Sequence, residues 1–200
     1  MRPVLMRQGY ARRRYNGQSR PFPAPVDDGM SASEIEFSLA DTEATDALGE
    51  ALARALPGAL RGCAVLYLRG ELGAGKTSCA RSLLRALGVG GLIRSPTFTL
   101  LESYRLGAVT CIHVDLYRLQ SPVEVDELGL RDHLNPGCLM LIEWPEMGGD
   151  ALPAADLELT LEYANSGRRG RLQARTTLGM EWLDLLRRNA RLVSYVSNLT

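Results

Sequence analysis

The octet Gly70–Thr77, which reads Gly-Glu-Leu-Gly-Ala-Gly-Lys-Thr, contains the residues best suited to chemistry. It fits the pattern G-x-x-x-x-G-K-[ST], in which a glycine-rich loop holds the phosphates of a nucleotide. Of the 23 lysine and arginine residues in the chain, Lys76 is the only lysine. A lysine is a slim point charge on a flexible stem, and it can reach the β- and γ-phosphates past a tight loop where the planar arginine fork is too bulky. Lys76 is therefore the first predicted catalytic residue.

The rest of the octet suits the same task. Gly73 and Gly75 would allow the backbone to approach a phosphate closely, and Thr77 would offer its hydroxyl to Mg²⁺. Backbone N–H groups of the loop and of the following helix would point at the anion. The predicted nucleotide-binding residues of this segment are Gly70, Gly73, Ala74, Gly75, Lys76, Thr77 and Ser78.

Two carboxylates follow apolar runs, at the strand ends where ligands bind in open α/β sheets. Asp115 ends the run His113-Val114-Asp115, and Glu143 directly follows Leu139–Ile142. An acid after a buried run is costly unless it meets a cation or a metal. We predict catalytic roles for both and a metal-binding role for Glu143 with Thr77; the alternative is that each caps a strand in solvent or pairs with an arginine. Ser95-Pro96-Thr97 lies where a first switch segment is expected, so Thr97 is predicted to sense Mg²⁺ or the γ-phosphate.

The elements around these residues predict an α/β fold. The apolar run Ala64–Leu68 precedes the octet as a buried strand, and apolar residues at helical spacing follow it until Gly88. Asp41 or Thr42 should cap an earlier helix that ends at Pro57-Gly58. Further strands are predicted at 97–104 and 109–116 as a hairpin around Gly107, and at 139–142. A short helix is expected at 123–128. A C-terminal hairpin of 157–163 and 171–176 precedes a helix with Trp182, Leu185 and Leu186 on one face.

Composition suits one globular domain, since 46% of the residues are hydrophobic, 23% are charged and the formal net charge is zero. We predict a P-loop domain over 31–190 and a tail over 191–200. Segment 1–30 is predicted to be a disordered basic extension; an RNA-contacting arm, a targeting peptide and a mis-assigned start before Met30 remain open. The four scattered cysteines and the lack of a long apolar run predict a cytoplasmic protein without a membrane span, and the zero net charge predicts neither membrane nor DNA partners.

Five segments occur in an order that resembles a known family: Gly70–Thr77, Ser95–Leu100, His113–Leu119, Glu127–Gly129 and Leu141–Glu146. Over roughly residues 36–180 the chain is similar to the TsaE (formerly YjeE) bacterial ATPases of tRNA threonylcarbamoyladenosine biosynthesis.

The resemblance implies a P-loop NTPase-like three-layer fold with a central mixed, largely parallel sheet. It implies ATP and Mg²⁺ as cofactors, with Thr77 and Glu143 holding the metal, Asp115 important for hydrolysis and Thr97 in a switch region. Asp41 and Thr45 would lie near the nucleotide base. Implied partners are TsaD, which modifies adenosine 37 of tRNAs that read codons starting with A, and TsaB. The tRNA would be reached only through the complex, which ATP hydrolysis would reset between turnovers.

Three other functions compete with this one. A GTPase is disfavoured because the Asn-Lys-x-Asp guanine motif needs a second lysine, which the chain lacks. A small-molecule kinase usually carries an arginine-bearing lid, and no such insertion is visible. A nucleotide-dependent binding module without appreciable hydrolysis stays open, because an ATPase of this kind should be slow until its partners complete the site. Arg118, Arg94 or a partner's arginine would stabilise charge during hydrolysis.

Overall fold

The computed structural model describes residues 33–58, 60–121, 123–164 and 167–188. The predicted segments 1–30 and 191–200 lie outside the described residues, as do Asn165 and Ser166 of the predicted C-terminal turn. Among the described residues, none of the helices has the length and hydrophobicity of a membrane-spanning segment.

One sheet of seven strands organises the domain, in the order β1-β7-β6-β2-β5-β4-β3. The strands are β1 Glu34–Leu39, β2 Cys63–Gly70, β3 Leu101–Leu106, β4 Val109–Asp115, β5 Cys138–Glu143, β6 Leu157–Ala164 and β7 Gly167–Ala174. The helices are α1 Thr42–Arg54, α2 Lys76–Ala86, α3 Val123–Glu127 and α4 Thr177–Arg187, with short 3₁₀ turns at Leu130–His133, Pro145–Met147 and Gly149–Ala151.

Parallel pairing is confined to the middle of the sheet. Strands β6, β2, β5 and β4 run parallel to one another, whereas β7, β1 and β3 add antiparallel pairs at the two edges. The mixed α/β fold and the C-terminal hairpin followed by a helix are thus confirmed. Because parallel strands end at the same edge, β2, β4 and β5 deliver their C-terminal residues to one place.

Both faces of the sheet are covered, which gives three layers. Helices α1, α2 and α4 pack on one face, and α3 with the 3₁₀ turns packs on the other. Strand β5 shows why its sequence is continuously apolar, since Leu139 and Leu141 enter the first core while Met140 and Ile142 enter the second.

The predicted start of α1 is confirmed, whereas the helix ends at Arg54, before the predicted Pro57-Gly58. Asp41 caps α1, its Oδ1 accepting a hydrogen bond from Ala44 N at 2.8 Å. In α4, Trp182 is fully buried and its Nε1 donates to Leu52 O of α1 at 2.9 Å. The prediction that Leu185 shares the buried face is wrong, because Leu183 turns inward and Leu185 is exposed.

Two strand boundaries also differ from the predictions. Residues 97–100 form turns rather than strand, with Leu100 N bonded to Pro96 O at 2.6 Å and Leu100 at a φ of 62°. The hydroxyl of Thr97 donates a hydrogen bond to Asp115 at the end of β4, and this turn segment lies outside the sheet. Strand β7 starts at Gly167, before the predicted Arg171, because the arginine-rich segment pairs with both β6 and β1.

Candidate functional site

The octet forms the loop between β2 and α2, and its glycines take backbone conformations that other residues rarely adopt. Gly70, Gly73 and Gly75 have φ values of 132°, 78° and 110°. A Cβ at Gly70 would lie 2.1 Å from Leu161 O of the neighbouring strand. The loop therefore lies tightly on the sheet and leads directly into the N-terminus of α2 at Lys76.

Lys76 is the cation of this loop and is only 4% exposed. Its Nζ donates to Gly70 O at 2.7 Å and to Glu71 O at 2.9 Å, and it lies 3.8 Å from the centre of the Trp144 ring. Burial lowers the pKa of the ammonium group, while nearby carboxylates act in the opposite direction. A shielded cation thus lies among the loop carbonyls and against an aromatic ring.

Glu143 is held from two sides at the end of β5. Its Oε2 accepts a hydrogen bond from Thr77 Oγ1 at 2.7 Å, and its Oε1 lies 2.8 Å from His113 Nε2. Glu143 is 1% exposed and His113 is fully buried. The other ring nitrogen, Nδ1, has no hydrogen-bond partner among the described residues. The contact of Glu143 with Thr77 links the end of β5 to the predicted phosphate-binding loop.

Asp115 lies beside Glu143 because the two residues are register partners at the ends of β4 and β5. Its Oδ2 accepts from Thr97 Oγ1 at 2.6 Å, and its Oδ1 accepts from Tyr117 N at 3.0 Å. The Thr97 hydroxyl also lies 2.8 Å from Ser95 Oγ. The segment predicted as a switch is therefore hydrogen-bonded to one of the two site carboxylates.

These groups surround one cavity of about 230 Å³. Its lining comprises Leu72, Gly73, Gly75, Lys76, Thr77, Ser78, Thr97, Asp115, Tyr117, Glu143 and Trp144. Most of the residues predicted from the sequence thus meet at one edge of the sheet. Ser78 also donates to Asp46 Oδ1 of α1 at 2.6 Å, which ties the start of α2 to α1.

Six predicted residues are absent from this lining, two of which, Gly70 and Ala74, belong to the loop itself. Asp41 and Thr45 lie at the start of α1, where Thr45 Oγ1 donates to Asp41 O at 3.2 Å, and Thr45 faces the loop at Gly75. Of the two arginines predicted for charge stabilisation, Arg118 lies over the exposed Phe98 ring at 4.2 Å, and Arg94 is exposed.

A family model described as "Threonylcarbamoyl adenosine biosynthesis protein TsaE" matches residues 39–171, which is more than half of the chain. The chain belongs to the TsaE family.

Individual TsaE relatives agree with the family model. The protein named tRNA threonylcarbamoyladenosine biosynthesis protein TsaE in Haemophilus influenzae is 43% identical over 115 residues, which cover 58% of this chain and 73% of the relative. The protein of the same name in Bacillus subtilis is 33% identical over 105 residues, covering 52% and 65%. The crystal structure of YdiB from Bacillus subtilis superposes with a TM-score of 0.64 at 25% identity, covering 78% of this chain and 95% of that one.

The TsaE fold also brings to the site three residues for which the motifs predicted no role there, namely Tyr117, Tyr163 and Arg168, and it places Trp144, whose motif left core and site stacking open, in the lining. Tyr117 lies 4.9 Å from Trp144 between ring centres, and both line the cavity. Tyr163 and Arg168 of the C-terminal hairpin contact carbonyl groups of the phosphate loop. For the hairpin residues no sequence signal was available, because their approach depends on β6 pairing with β2.

The donor atoms at the cavity fit a magnesium ion. Thr77 Oγ1 and Glu143 Oε2 are hard oxygen donors already in contact, and Asp115 adds a second carboxylate nearby. The described residues contain no cluster of three or more His, Cys, Asp or Glu side chains that could hold a metal. This sparse set suits Mg²⁺, which takes one or two protein carboxylates and fills its other positions with water and phosphate oxygens.

Proposed function

We propose that this chain is a Mg²⁺-dependent ATPase that takes part in tRNA threonylcarbamoyladenosine biosynthesis. The observation that carries the proposal is the 2.7 Å contact between Thr77 of the phosphate loop and Glu143 after β5. It joins a hydroxyl and a carboxylate that are far apart in sequence, on a loop whose amides suit phosphate. Family membership supports the biosynthetic role.

Each residue has a definite task in this proposal. Lys76 would exchange its loop carbonyls for the β- and γ-phosphates, and the amides of Gly73, Ala74 and Gly75 would orient the phosphate chain. Thr77 and Glu143 would hold Mg²⁺, which neutralises charge on the phosphates when bound. His113 would keep the Glu143 carboxylate in position through its 2.8 Å contact.

Hydrolysis further needs an oriented water. Asp115 is 3% exposed, lines the cavity and accepts from Thr97, so it would orient the water or the metal's hydration shell. Thr97 would then couple the occupancy of the site to residues 95–100. Because Phe98 is 82% exposed and Thr99 beside it is also exposed, a change in this segment would be visible to a partner protein.

We propose TsaD-like and TsaB-like proteins as the partners, with tRNA engaged through them in the cytoplasm. The test measures ATP hydrolysis by the purified chain alone and with TsaD, TsaB and tRNA, while threonylcarbamoyladenosine is quantified in the same tubes. Weak activity alone that the partners raise, together with repeated tRNA modification, is expected. Rapid hydrolysis whose rate does not depend on the partners would contradict the biosynthetic role. If no hydrolysis occurs in the complete mixture, the chain would instead be a nucleotide-binding module.

Two variants separate binding from turnover. Lys76→Ala should weaken ATP binding at least roughly tenfold, because it removes a charged hydrogen-bond donor to phosphate. Glu143→Ala should keep most of the nucleotide affinity and lose Mg²⁺-dependent turnover by roughly a hundredfold or more. Glu181→Ala, an exposed site on α4, is the matched control and should behave as wild type. Normal turnover by Glu143→Ala within the complex would show that the metal assignment is wrong.

A further inference from the structure

The C-terminal hairpin lies directly against the phosphate loop. Tyr163, near the end of β6, donates from its hydroxyl to Leu72 O at 3.0 Å. Arg168, near the start of β7, directs Nη2 at Gly73 O at 3.5 Å. The hairpin is thus in contact with two successive carbonyls of the loop Gly70–Thr77, of which the Gly73 carbonyl belongs to a predicted nucleotide-binding residue.

The hydrogen bonds of the Arg168 guanidinium are incomplete in this position. The contact to Gly73 O lies at the upper limit for a hydrogen bond, and the buried Nε has no acceptor among the described residues. A buried donor without an acceptor costs free energy, more so on a charged group. Geometrically, the guanidinium therefore still has donor capacity for a further acceptor.

The place of this cation is defined by its neighbours. A Cβ built on Gly75 would lie 3.5 Å from Arg168 Nε and 3.1 Å from the Thr45 side chain, so Arg168 reaches the loop next to the residue preceding Lys76. Its Cζ lies 6.0 Å from the centre of the Tyr163 ring. Arg168 is therefore a second cation at the loop, reaching it from β7, whereas Lys76 belongs to α2.

We propose that Arg168 binds the phosphate chain of the nucleotide held by the loop. The inference rests on the proposed nucleotide-binding function and adds to it a charged contact from the last hairpin. A guanidinium with free donors beside phosphate-orienting amides matches the fork geometry that arginine uses for phosphate oxygens. Arg118 and Arg94 do not compete for this role in the structure, since the first lies on Phe98 and the second is exposed.

Competition binding tests this assignment. A fluorescent adenine nucleotide is displaced from the full chain by ATP and, separately, by tripolyphosphate, which has neither base nor ribose. Arg168→Ala should lower the affinity for ATP and for tripolyphosphate by a similar factor, roughly tenfold or more, because the lost contact is to phosphate. Arg168→Lys should recover part of the affinity for both, since the positive charge remains.

Two matched variants separate phosphate binding from support of the loop. Tyr163→Phe removes the other hairpin hydrogen bond to the loop, and Arg169→Ala removes an exposed neighbouring arginine of the same strand. Both should leave tripolyphosphate competition within about twofold of wild type.

Three outcomes would overturn the proposal. One is unchanged affinity in Arg168→Ala while wild type binds ATP, which would leave the proposed ATPase intact. The second is a loss for ATP without a loss for tripolyphosphate, which would place Arg168 on the base or ribose. The third is a loss of affinity in Tyr163→Phe equal to that in Arg168→Ala, with both variants melting at a lower temperature than wild type in the absence of ligand. That result would mean that Arg168 supports the loop and does not bind phosphate. If wild type bound neither competitor, the proposed function itself would fail.

Discussion

The pairing of His113 with Glu143 gives a residue-scale prediction. The carboxylate oxygen Oε1 meets the imidazole Nε2 at 2.8 Å inside the core, while Oε2 meets Thr77. His113→Leu would leave Oε1 without that partner, so the Mg²⁺ concentration for half-maximal ATPase activity should rise roughly 10- to 100-fold. His113→Gln keeps an amide donor and should lie closer to wild type.

The measurement is a Mg²⁺ titration of hydrolysis, with melting temperatures of all three proteins beside it. A fall in activity that saturating Mg²⁺ does not restore, with an unchanged Mg²⁺ midpoint, would show that His113 acts only in packing.

At the scale of elements, the junction of β2 with the phosphate loop depends on Gly70. A Cβ there would meet Leu161 O at 2.1 Å, and the φ of 132° disfavours any other residue. Gly70→Ala should lower the free energy of unfolding by about 2 kcal/mol or more, as measured by urea denaturation. Gly58→Ala is the control, because a Cβ at Gly58 would meet nothing within 4 Å. Equal stability of the two variants would contradict the tight approach of loop and strand.

At the opposite end of the sheet, the side chain of Asp156 links strand β2 to the N-terminus of α4. Its Oδ2 accepts from Val65 N at 2.9 Å, and its other oxygen accepts from Thr176 Oγ1, the cap of α4. Burial raises the pKa of this carboxyl above its usual 3.8, although the two hydrogen bonds oppose the shift. The folded chain therefore binds a proton at pH values where the unfolded chain has lost it.

The pH dependence of this group follows from that difference. A raised folded pKa makes the contribution of Asp156 to stability largest below pH 3.8 and smaller as the pH rises through the folded pKa. The advantage of wild type over Asp156→Asn in urea denaturation should thus be greater near about pH 4 than near about pH 7. The reverse trend would mean that the hydrogen bonds outweigh burial.

At the scale of the whole molecule, one continuous sheet connects the site to the C-terminal helix. The two tryptophans report on different places, since Trp144 contacts Lys76 at the site and Trp182 is buried between α4 and α1. We expect the unfolding transitions of Trp144→Phe and Trp182→Phe, each followed by the fluorescence of its remaining tryptophan, to show cooperative two-state behaviour. Separate transitions by fluorescence and circular dichroism within one variant would indicate independent units.

The same two variants should respond differently to ATP. ATP should change the emission of Trp182→Phe, which keeps Trp144 at the site, and should leave the emission of Trp144→Phe unchanged.

Local patterns in the sequence determined the parts of this protein that depend on neighbouring residues. The phosphate loop, the Asp41 cap, the buried β5 and the alternating β6 were all predictable, because turn chemistry and side-chain periodicity act over a few positions. The positions of Asp115 and Glu143 at the ends of buried strands were predictable for the same reason. Whether they hold metal and act in hydrolysis stays a prediction.

Only the tertiary structure decided which distant residues meet. Pairing of β4 with β5 places Asp115 beside Glu143, and the return of β6 and β7 brings Tyr163 and Arg168 to the loop. Other tertiary contacts account for the errors, since Thr97 lies in a turn and donates to Asp115, and α4 packs with Leu183 instead of Leu185 in the core. Sheet order and register arise from packing across the whole chain, so no local pattern carries them.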